Sequence, residues 1–104
     1  MYFRKQYRME EKFEEGNSVF ILSETTKIGL WTLENSSPGK LSLNIIAEVA
    51  SKVLCGEYPY LKEEEIKELN VSMKIGNEKK AFTFEKGYSK QRILHEMTAE
   101  IWVS

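Results

Sequence analysis

Four consecutive stretches decide the fold of this chain: VFIL at 19–22, IGLWTL at 28–33, LSLNIIAEVASKVL at 41–54 and EYPYLKEEEIKELNVSMKI at 57–75. The first two are short runs of β-forming residues, and VFIL in particular predicts a strand that is covered on both sides. In the third, apolar residues recur at helical spacing, which predicts a helix over about 41–54 that Gly56 terminates. Two strands, a covering helix and a further strand indicate an α+β fold.

The rest of the fourth stretch extends this pattern. A short acidic helix is predicted over about 62–69, because glutamates in its first turn suit the helix dipole. A half-buried strand follows at 71–75. Gly76-Asn77 would form a tight turn that connects it to another strand at 81–85. The expected architecture is a mixed or mostly antiparallel sheet covered by one long helix, in a single domain over residues 1–104.

The two ends of the chain carry competing periodicities. Residues 2–15 alternate apolar and charged side chains like an edge strand, although helical spacing is also present. The strand is favoured, because Gly16-Asn17 would close a hairpin onto 18–23. Residues 89–103 fit a strand or a helix equally well. Gly29, inside the second predicted strand, predicts a bulge or a close approach by another backbone or a ligand.

Composition limits the class of protein. Fifteen basic and sixteen acidic residues give a net charge of -1 in 104 residues, so no overall field attracts nucleic acid or an anionic membrane. The single cysteine allows no intrachain disulfide, and the N-terminal residues lack the apolar core of a secretory signal. Apolar runs such as 19–22 are far too short to cross a bilayer. We therefore expect a soluble, cytoplasmic protein.

The stretches SVFIL, KIGLWTLE, LSLNIIAEVASKVL and EYPYLKEEEIKELNVSMKI, with the tail FTFEKGYSKQRILHEMTAEIW, resemble the AMMECR domain family in order and apolar pattern over residues 18–102. The chain looks like a divergent and shortened member. The resemblance implies an intracellular α+β protein with a mixed sheet, in a family whose biochemical activity is not established. It also implies a partner, a Memo-type protein or a radical S-adenosylmethionine enzyme, beside an RNA- or metabolite-modifying reaction.

The resemblance further implies a pocket where three family motifs meet. An arginine-glycine-cysteine-isoleucine-glycine motif falls on 27–31, with Gly29 in place of the cysteine, so cysteine chemistry is not expected. An arginine-phenylalanine-proline-proline motif falls on 57–60, where Glu57 reverses the first charge, and a proline-glutamine pair falls on 95–96. The candidate ligand-binding residues are Lys27, Gly29, Trp31, Glu57, Tyr58, Pro59, His95 and Glu96.

Part of this set has side chains suited to acid/base chemistry. Lys27 and His95 would donate to a small polar ligand, and Glu57 and Glu96 would accept or act as a general base. Equally, Lys27 and Glu57 would form a structural ion pair. Cys55, at the end of a helix, predicts a small buried thiol rather than a nucleophile. His95, the only histidine, predicts a satisfied, partly buried imidazole and no metal site.

Three functions therefore remain open. The favoured one is a binding or accessory module with no cofactor. The alternatives are a small acid/base enzyme using the Lys27, Glu57, His95 and Glu96 set, and a homo-oligomeric structural protein that pairs through an edge strand within 2–15. Nucleic-acid binding is not favoured, because the late basic residues are interspersed with glutamates. That basic group comprises Lys79, Lys80, Lys86, Lys90 and Arg92, with Tyr88 among them.

Overall fold

A computed structural model describes residues 6–13, 16–25, 27–35, 43–58, 66–75 and 78–103. They form one five-stranded sheet, in the spatial order β1-β2-β3-β4-β5, and two helices, which confirms the α+β class. Only β3 and β4 run parallel, and the other neighbours are antiparallel. The elements are β1 (Gln6–Phe13), β2 (Gly16–Glu24), β3 (Leu30–Asn35), α1 (Leu43–Leu54), β4 (Glu68–Ile75), β5 (Glu78–Glu85) and α2 (Lys90–Val103).

The first hairpin confirms the edge strand expected near the N-terminus. β1 pairs with β2 along its whole length, from Gln6 opposite Ser23 to Phe13 opposite Gly16. The predicted turn at Gly16-Asn17 is wrong, because both residues already belong to β2 and the ladder continues through them. The connection is therefore at 14–15, which lies outside the described residues.

The sheet is covered on one side only. In β2, Phe20 and Leu22 are buried, whereas Val19 and Ile21 on the other side are half-buried. The expectation that this strand is covered on both sides is wrong, because α1 and α2 both contribute to the core on the same side of the sheet. Every buried sheet residue points to that side, since side chains alternate along a strand. These residues are Met9, Ser18, Phe20, Leu22, Trp31, Leu33, Leu69, Val71, Met73, Phe82 and Phe84.

Helix α1 supplies the other half of the core and confirms the main prediction. Val49, Ala50 and Val53 are fully buried, as the apolar stripe requires. The described helix covers Leu43–Leu54, and the predicted residues 41–42 lie outside the described part. Gly56 ends it with a φ of 70°, donating to the Val53 carbonyl, while the Glu57 N–H donates to the Lys52 carbonyl. This pair of hydrogen bonds is a Schellman cap.

Helix α1 also links the parallel pair at the centre of the sheet, as a crossover connection must. The chain leaves β3, forms α1 and returns to β4, where Leu30 pairs with Glu68. The predicted short helix is wrong at its end, because Glu68 and Leu69 are in β4, and residues 62–65 lie outside the described part. Burial of Leu69 between Trp31 and Phe84 in the sheet overrides its helix propensity.

The turn before β3 corrects the predicted bounds of that strand. The strand begins at Leu30 rather than Ile28, whose side chain is 86% exposed. Gly29 lies in the turn with a φ of 86°, and its carbonyl accepts hydrogen bonds from the N–H groups of Lys67 (2.8 Å) and Glu68 (3.0 Å). The prediction that Gly29 lies inside a strand is thus wrong, but the expected close approach of another backbone is confirmed.

The C-terminal segment is a helix. Ile93 and Met97 of α2 are fully buried in the common core, so the helical spacing is the correct interpretation of 89–103. Before it, β4 and β5 form the predicted antiparallel hairpin, with Ile75 opposite Glu78. Phe82 and Phe84 share the covered side of β5, also as predicted, and the turn at Gly76-Asn77 lies outside the described residues.

Candidate functional site

The first group of predicted pocket residues lies at the turn between β2 and β3. Lys27 is exposed there, and its Nζ is 3.5 Å from Oε1 of Glu68, so its ion-pair partner is Glu68 rather than Glu57. The Lys27 N–H donates to Oγ1 of Thr25, which fixes the turn. Trp31 is fully buried and stacks on the Tyr7 ring at a centroid distance of 6.0 Å. Trp31 is therefore a core residue.

Tyr58 lies in a second place, against β1. Its hydroxyl donates a 2.6 Å hydrogen bond to Oε1 of Glu11, and the other carboxylate oxygen of Glu11 is 3.9 Å from Nζ of Lys52. Glu11 pairs with Ser18 near the start of β2, whereas Lys27 follows the end of that strand. About 20 Å of strand separates these two positions. The structure therefore does not bring Tyr58 to Lys27.

The third group lies on α2. His95 is exposed, and the expectation of a partly buried imidazole is wrong, because Ile93 and Met97 turn the opposite side of the helix to the core. Oε1 of Glu96 is 3.8 Å from Nε of Arg92, one helical turn away on the same helix. Neither His95 nor Glu96 forms an ion pair or hydrogen bond with Lys27 in the described part of the chain.

The end of α1 holds the remaining predicted residues. Cys55 is exposed, so the expected buried thiol is wrong: the residue follows Leu54, where the capping turn leads away from the core. Glu57 is exposed as well, and Pro59 lies outside the described residues. The described members of the predicted pocket thus occupy separate turns and helices. Among the described residues, no group of three His, Cys, Asp or Glu side chains is arranged to hold a metal.

A different surface has the character of a site. We call it the open face: the side of the sheet opposite α1 and α2, which no described element covers. The strand registers align five uncharged polar side chains across its full width. This polar row consists of Gln6 of β1, Ser23 of β2, Thr32 of β3, Asn70 of β4 and Thr83 of β5.

Asn70 is the most unusual member of the polar row. It lies between Thr32 and Thr83 on the neighbouring strands, and its Oδ1 is shielded from solvent with no hydrogen-bond partner in the described part of the chain. Thr32, by contrast, donates from Oγ1 to the Ser23 carbonyl at 3.4 Å. The sheet therefore contains one amide oxygen whose hydrogen-bonding capacity its own neighbours do not use.

Charged residues surround this row, and most are paired. Around the open face, guanidinium and ammonium groups meet carboxylates in three places: Arg8 with Glu10 at 3.0 Å, Lys27 with Glu68 at 3.5 Å, and Lys79 with Glu34 at 3.6 Å. The two charge signs balance, so the rim has no strong preference for an anionic or cationic ligand. Among the described residues, no aromatic side chain lies on this face, because the aromatic residues of the strands point to the covered side.

Part of the late basic group is engaged in contacts within the protein. Arg92 lies 3.9 Å above the Tyr88 ring and also pairs with Glu96, so this aromatic ring is covered by a cation of its own helix. Lys79 pairs with Glu34 on the open face. These contacts engage two cations of the group and its aromatic ring, which are the kinds of side chain that bind RNA phosphates and bases.

The sequence does not reveal the polar row, because each of its members is simply a polar residue at an alternating position of its own strand. The residues come together through strand registers that a single sequence does not reveal. Neither described helix combines the length and the apolar character needed to span a membrane. No family model, curated protein or solved structure matches this chain.

Proposed function

We propose that this protein is a binding module that docks another protein on the open face of its sheet. The observation that carries the proposal is Asn70, a polar amide on an interior strand whose shielded Oδ1 has no partner among the described residues. An unsatisfied buried acceptor costs about 1–3 kcal/mol, and asparagine is depleted in strands. The stability of the sheet alone would favour a β-branched residue here. A small rotation of the amide would let an N–H group of a partner donate to this oxygen.

The charge distribution supports a protein as the occupant. The polar row is uncharged, and the neighbouring positions of the open face carry charges of both signs, such as Arg8, Glu10 and Glu34. Protein–protein interfaces combine uncharged polar and charged groups in this way. Single-stranded nucleic acids need aromatic platforms for base stacking, and the described part of this face has none. Five strands of six to nine residues give a flat area of about 500 Å². This is somewhat smaller than the roughly 800 Å² per partner that a standard interface buries.

The alternative of a small acid/base enzyme has no geometric support, because Lys27 pairs with Glu68 and Glu96 pairs with Arg92. The accessory role beside a Memo-type protein or a radical S-adenosylmethionine enzyme, which the AMMECR resemblance implies, would be one instance of such docking. It stays a prediction, as does the resemblance itself.

The test compares variants that differ only in which face they block. Thr32→Arg and Thr83→Arg each place a long cation in the polar row, and Thr83 is exposed, so folding does not depend on it. Ala99→Arg, on the exposed surface of α2, is the matched control. With each variant as bait in the native cell, followed by cross-linking and mass spectrometry, we expect the wild type and Ala99→Arg to retain the same partner.

Both polar-row variants should lose that partner while keeping the circular-dichroism spectrum of the wild type. A partner captured equally by Thr32→Arg, Thr83→Arg and Ala99→Arg would rule out docking on the open face. Recovery of nucleic acid in place of protein would overturn the choice of occupant.

A further inference from the structure

Strand β1 is an edge of the sheet. Within the sheet it has a neighbour on one side only, β2, along its eight residues. The outer backbone groups of an edge strand form a template for pairing with another strand. Long edges are usually interrupted by bulges or prolines, and β1 contains neither, since its register with β2 is continuous.

This edge is held in a fixed position. Met9, at its middle, is buried on the covered side. Two residues further on, Glu11 binds the Tyr58 hydroxyl and lies near the ammonium of Lys52, which joins the strand to the end of α1. Pairing with a second strand would therefore cost β1 little conformational entropy, because the core already holds β1 in place.

The exposed charges on the two sides of Met9 are opposite in sign, so β1 is complementary to itself when a second copy runs in the reverse direction. Arg8 and Glu10 flank Met9, point to the open face and are 63% and 58% exposed. We propose that β1 pairs antiparallel with β1 of a second copy of this chain, about a two-fold axis at Met9. Arg8 of each copy then lies opposite Glu10 of the other, and two sheets join into one.

The charges select this register over its neighbours. A shift by two residues in one direction puts Arg8 opposite Arg8 of the second copy, and a shift in the other direction puts Glu10 opposite Glu10. Like charges directly opposite each other destabilise a strand pair. A one-residue shift would put the covered side of one copy and the open face of the other on the same side of the joined sheet. The net charge of -1 adds little repulsion between copies.

The other edge offers a weaker match. A two-fold pairing centred on Phe82 of β5 would put Lys79 opposite Glu85 on the open face. The same pairing would put the ammonium of Lys80 opposite Phe84, which is fully buried on the covered side. We therefore assign self-association to β1, which leaves the open faces of both copies uncovered and side by side.

Charge exchange tests the pairing. In sedimentation velocity over a concentration series, the wild type should show a reversible monomer–dimer equilibrium that weakens at high salt. Arg8→Glu alone and Glu10→Arg alone each create two like-charge pairs, and each should raise the dissociation constant at least about tenfold. The double variant Arg8→Glu/Glu10→Arg restores opposite charges and should dimerise like the wild type.

Mixing the two single variants is the decisive measurement. Each associates poorly with itself, but Arg8→Glu and Glu10→Arg are complementary to each other, so the mixture should form a heterodimer. This result does not depend on small losses of stability, because both chains in the mixture carry a substitution. Lys79→Glu on β5 is the control and should leave dimerisation unchanged.

Three results would overturn the proposal: a wild type that remains monomeric at millimolar concentration, single variants that dimerise as the wild type does, or a mixture that forms no heterodimer. Loss of dimerisation in Lys79→Glu would transfer the contact to β5. The outcome is independent of docking on the open face, since sedimentation of the purified chain measures self-association with no other protein present.

Discussion

The Tyr58 hydroxyl donates a 2.6 Å hydrogen bond to the carboxylate of Glu11, and this bond joins the segment after α1 to the edge strand β1. Glu11 is on the covered side of the sheet, where Nζ of Lys52 is 3.9 Å from its second oxygen. The carboxylate thus contacts two groups from one helix end. Because β1 has only one neighbouring strand, this contact supplies part of the support that a second neighbour would otherwise give.

Removing the Tyr58 hydroxyl should weaken this support. Tyr58→Phe keeps the ring but leaves the half-buried Glu11 carboxylate without its shortest hydrogen bond, so the free energy of unfolding should fall by about 1.5–3 kcal/mol. Chemical denaturation measures the change. Tyr88→Phe is the matched control, because the Tyr88 hydroxyl makes no hydrogen bond to a described residue and its ring still contacts Arg92. Equal losses in the two variants would contradict the assigned role of the Tyr58–Glu11 bond.

Alanine substitutions at Gly29 and Gly87 distinguish the cost of backbone strain from the cost of side-chain crowding. Both have positive φ, 86° and 98°, and an alanine at positive φ costs about 1–2 kcal/mol. A Cβ at Gly29 would also lie 2.9 Å from Cγ and Cδ of Lys67, whereas a Cβ at Gly87 would meet nothing within 4 Å. We expect Gly29→Ala to lower the melting temperature more than Gly87→Ala. The reverse order would show that the contact with Lys67 is not as close as described.

Replacing Asn70 should stabilise the protein while removing its proposed function. Asn70→Val eliminates the unsatisfied amide oxygen and adds a β-branched side chain to an interior strand, so the free energy of unfolding should rise by about 1 kcal/mol. Thr83→Val, directly opposite on the exposed side of β5, is the control and should change stability by less than about 0.5 kcal/mol. A clear loss of stability in Asn70→Val would indicate that its Oδ1 is satisfied in the folded protein.

The packing of α2 on the core can be tested by substituting two isoleucines, one buried and one exposed. Ile93 of α2 is fully buried, so Ile93→Ala should cost about 2–5 kcal/mol in a thermal or chemical unfolding experiment. Ile28, at the turn before β3, is 86% exposed, so Ile28→Ala should remain within about 0.5 kcal/mol of the wild type. Similar effects of the two substitutions would mean that α2 does not pack on the core as described.

The parts of the fold that the sequence predicted are those in which one periodicity is unambiguous. The apolar stripe of α1 has no strand interpretation, and the alternation over 71–75 in β4 has no helical one. The first residues of β4, by contrast, were included in the predicted short helix. In α2, however, Ile93, Met97 and Ile101 are four residues apart, which is two strand repeats and close to one helical turn. Only packing against α1 and the sheet decides between these interpretations, and a pattern within one segment does not contain that information.

The candidate site was less predictable, because it depends on which residues of different strands lie opposite each other. The pocket implied by the family motifs required 27–31 and 57–60 to meet, but Lys27 contacts Glu68 of β4 whereas Tyr58 contacts Glu11 of β1. The polar row requires Thr32 to lie beside Asn70, and that pairing follows from the parallel register of β3 and β4. The helix that connects these two strands was predicted, but their register was not.

The parallel seam between β3 and β4 also governs how the chain reaches this structure. The β1–β3 meander and the β4–β5 hairpin are each built from neighbours in sequence, whereas the seam joins Leu30 to Glu68 across the whole of α1. Closing so long a segment costs entropy before any seam contact is gained, and non-local pairings of this kind slow folding. We therefore expect two locally structured halves to form early and the rate-limiting transition state to be their union along this seam.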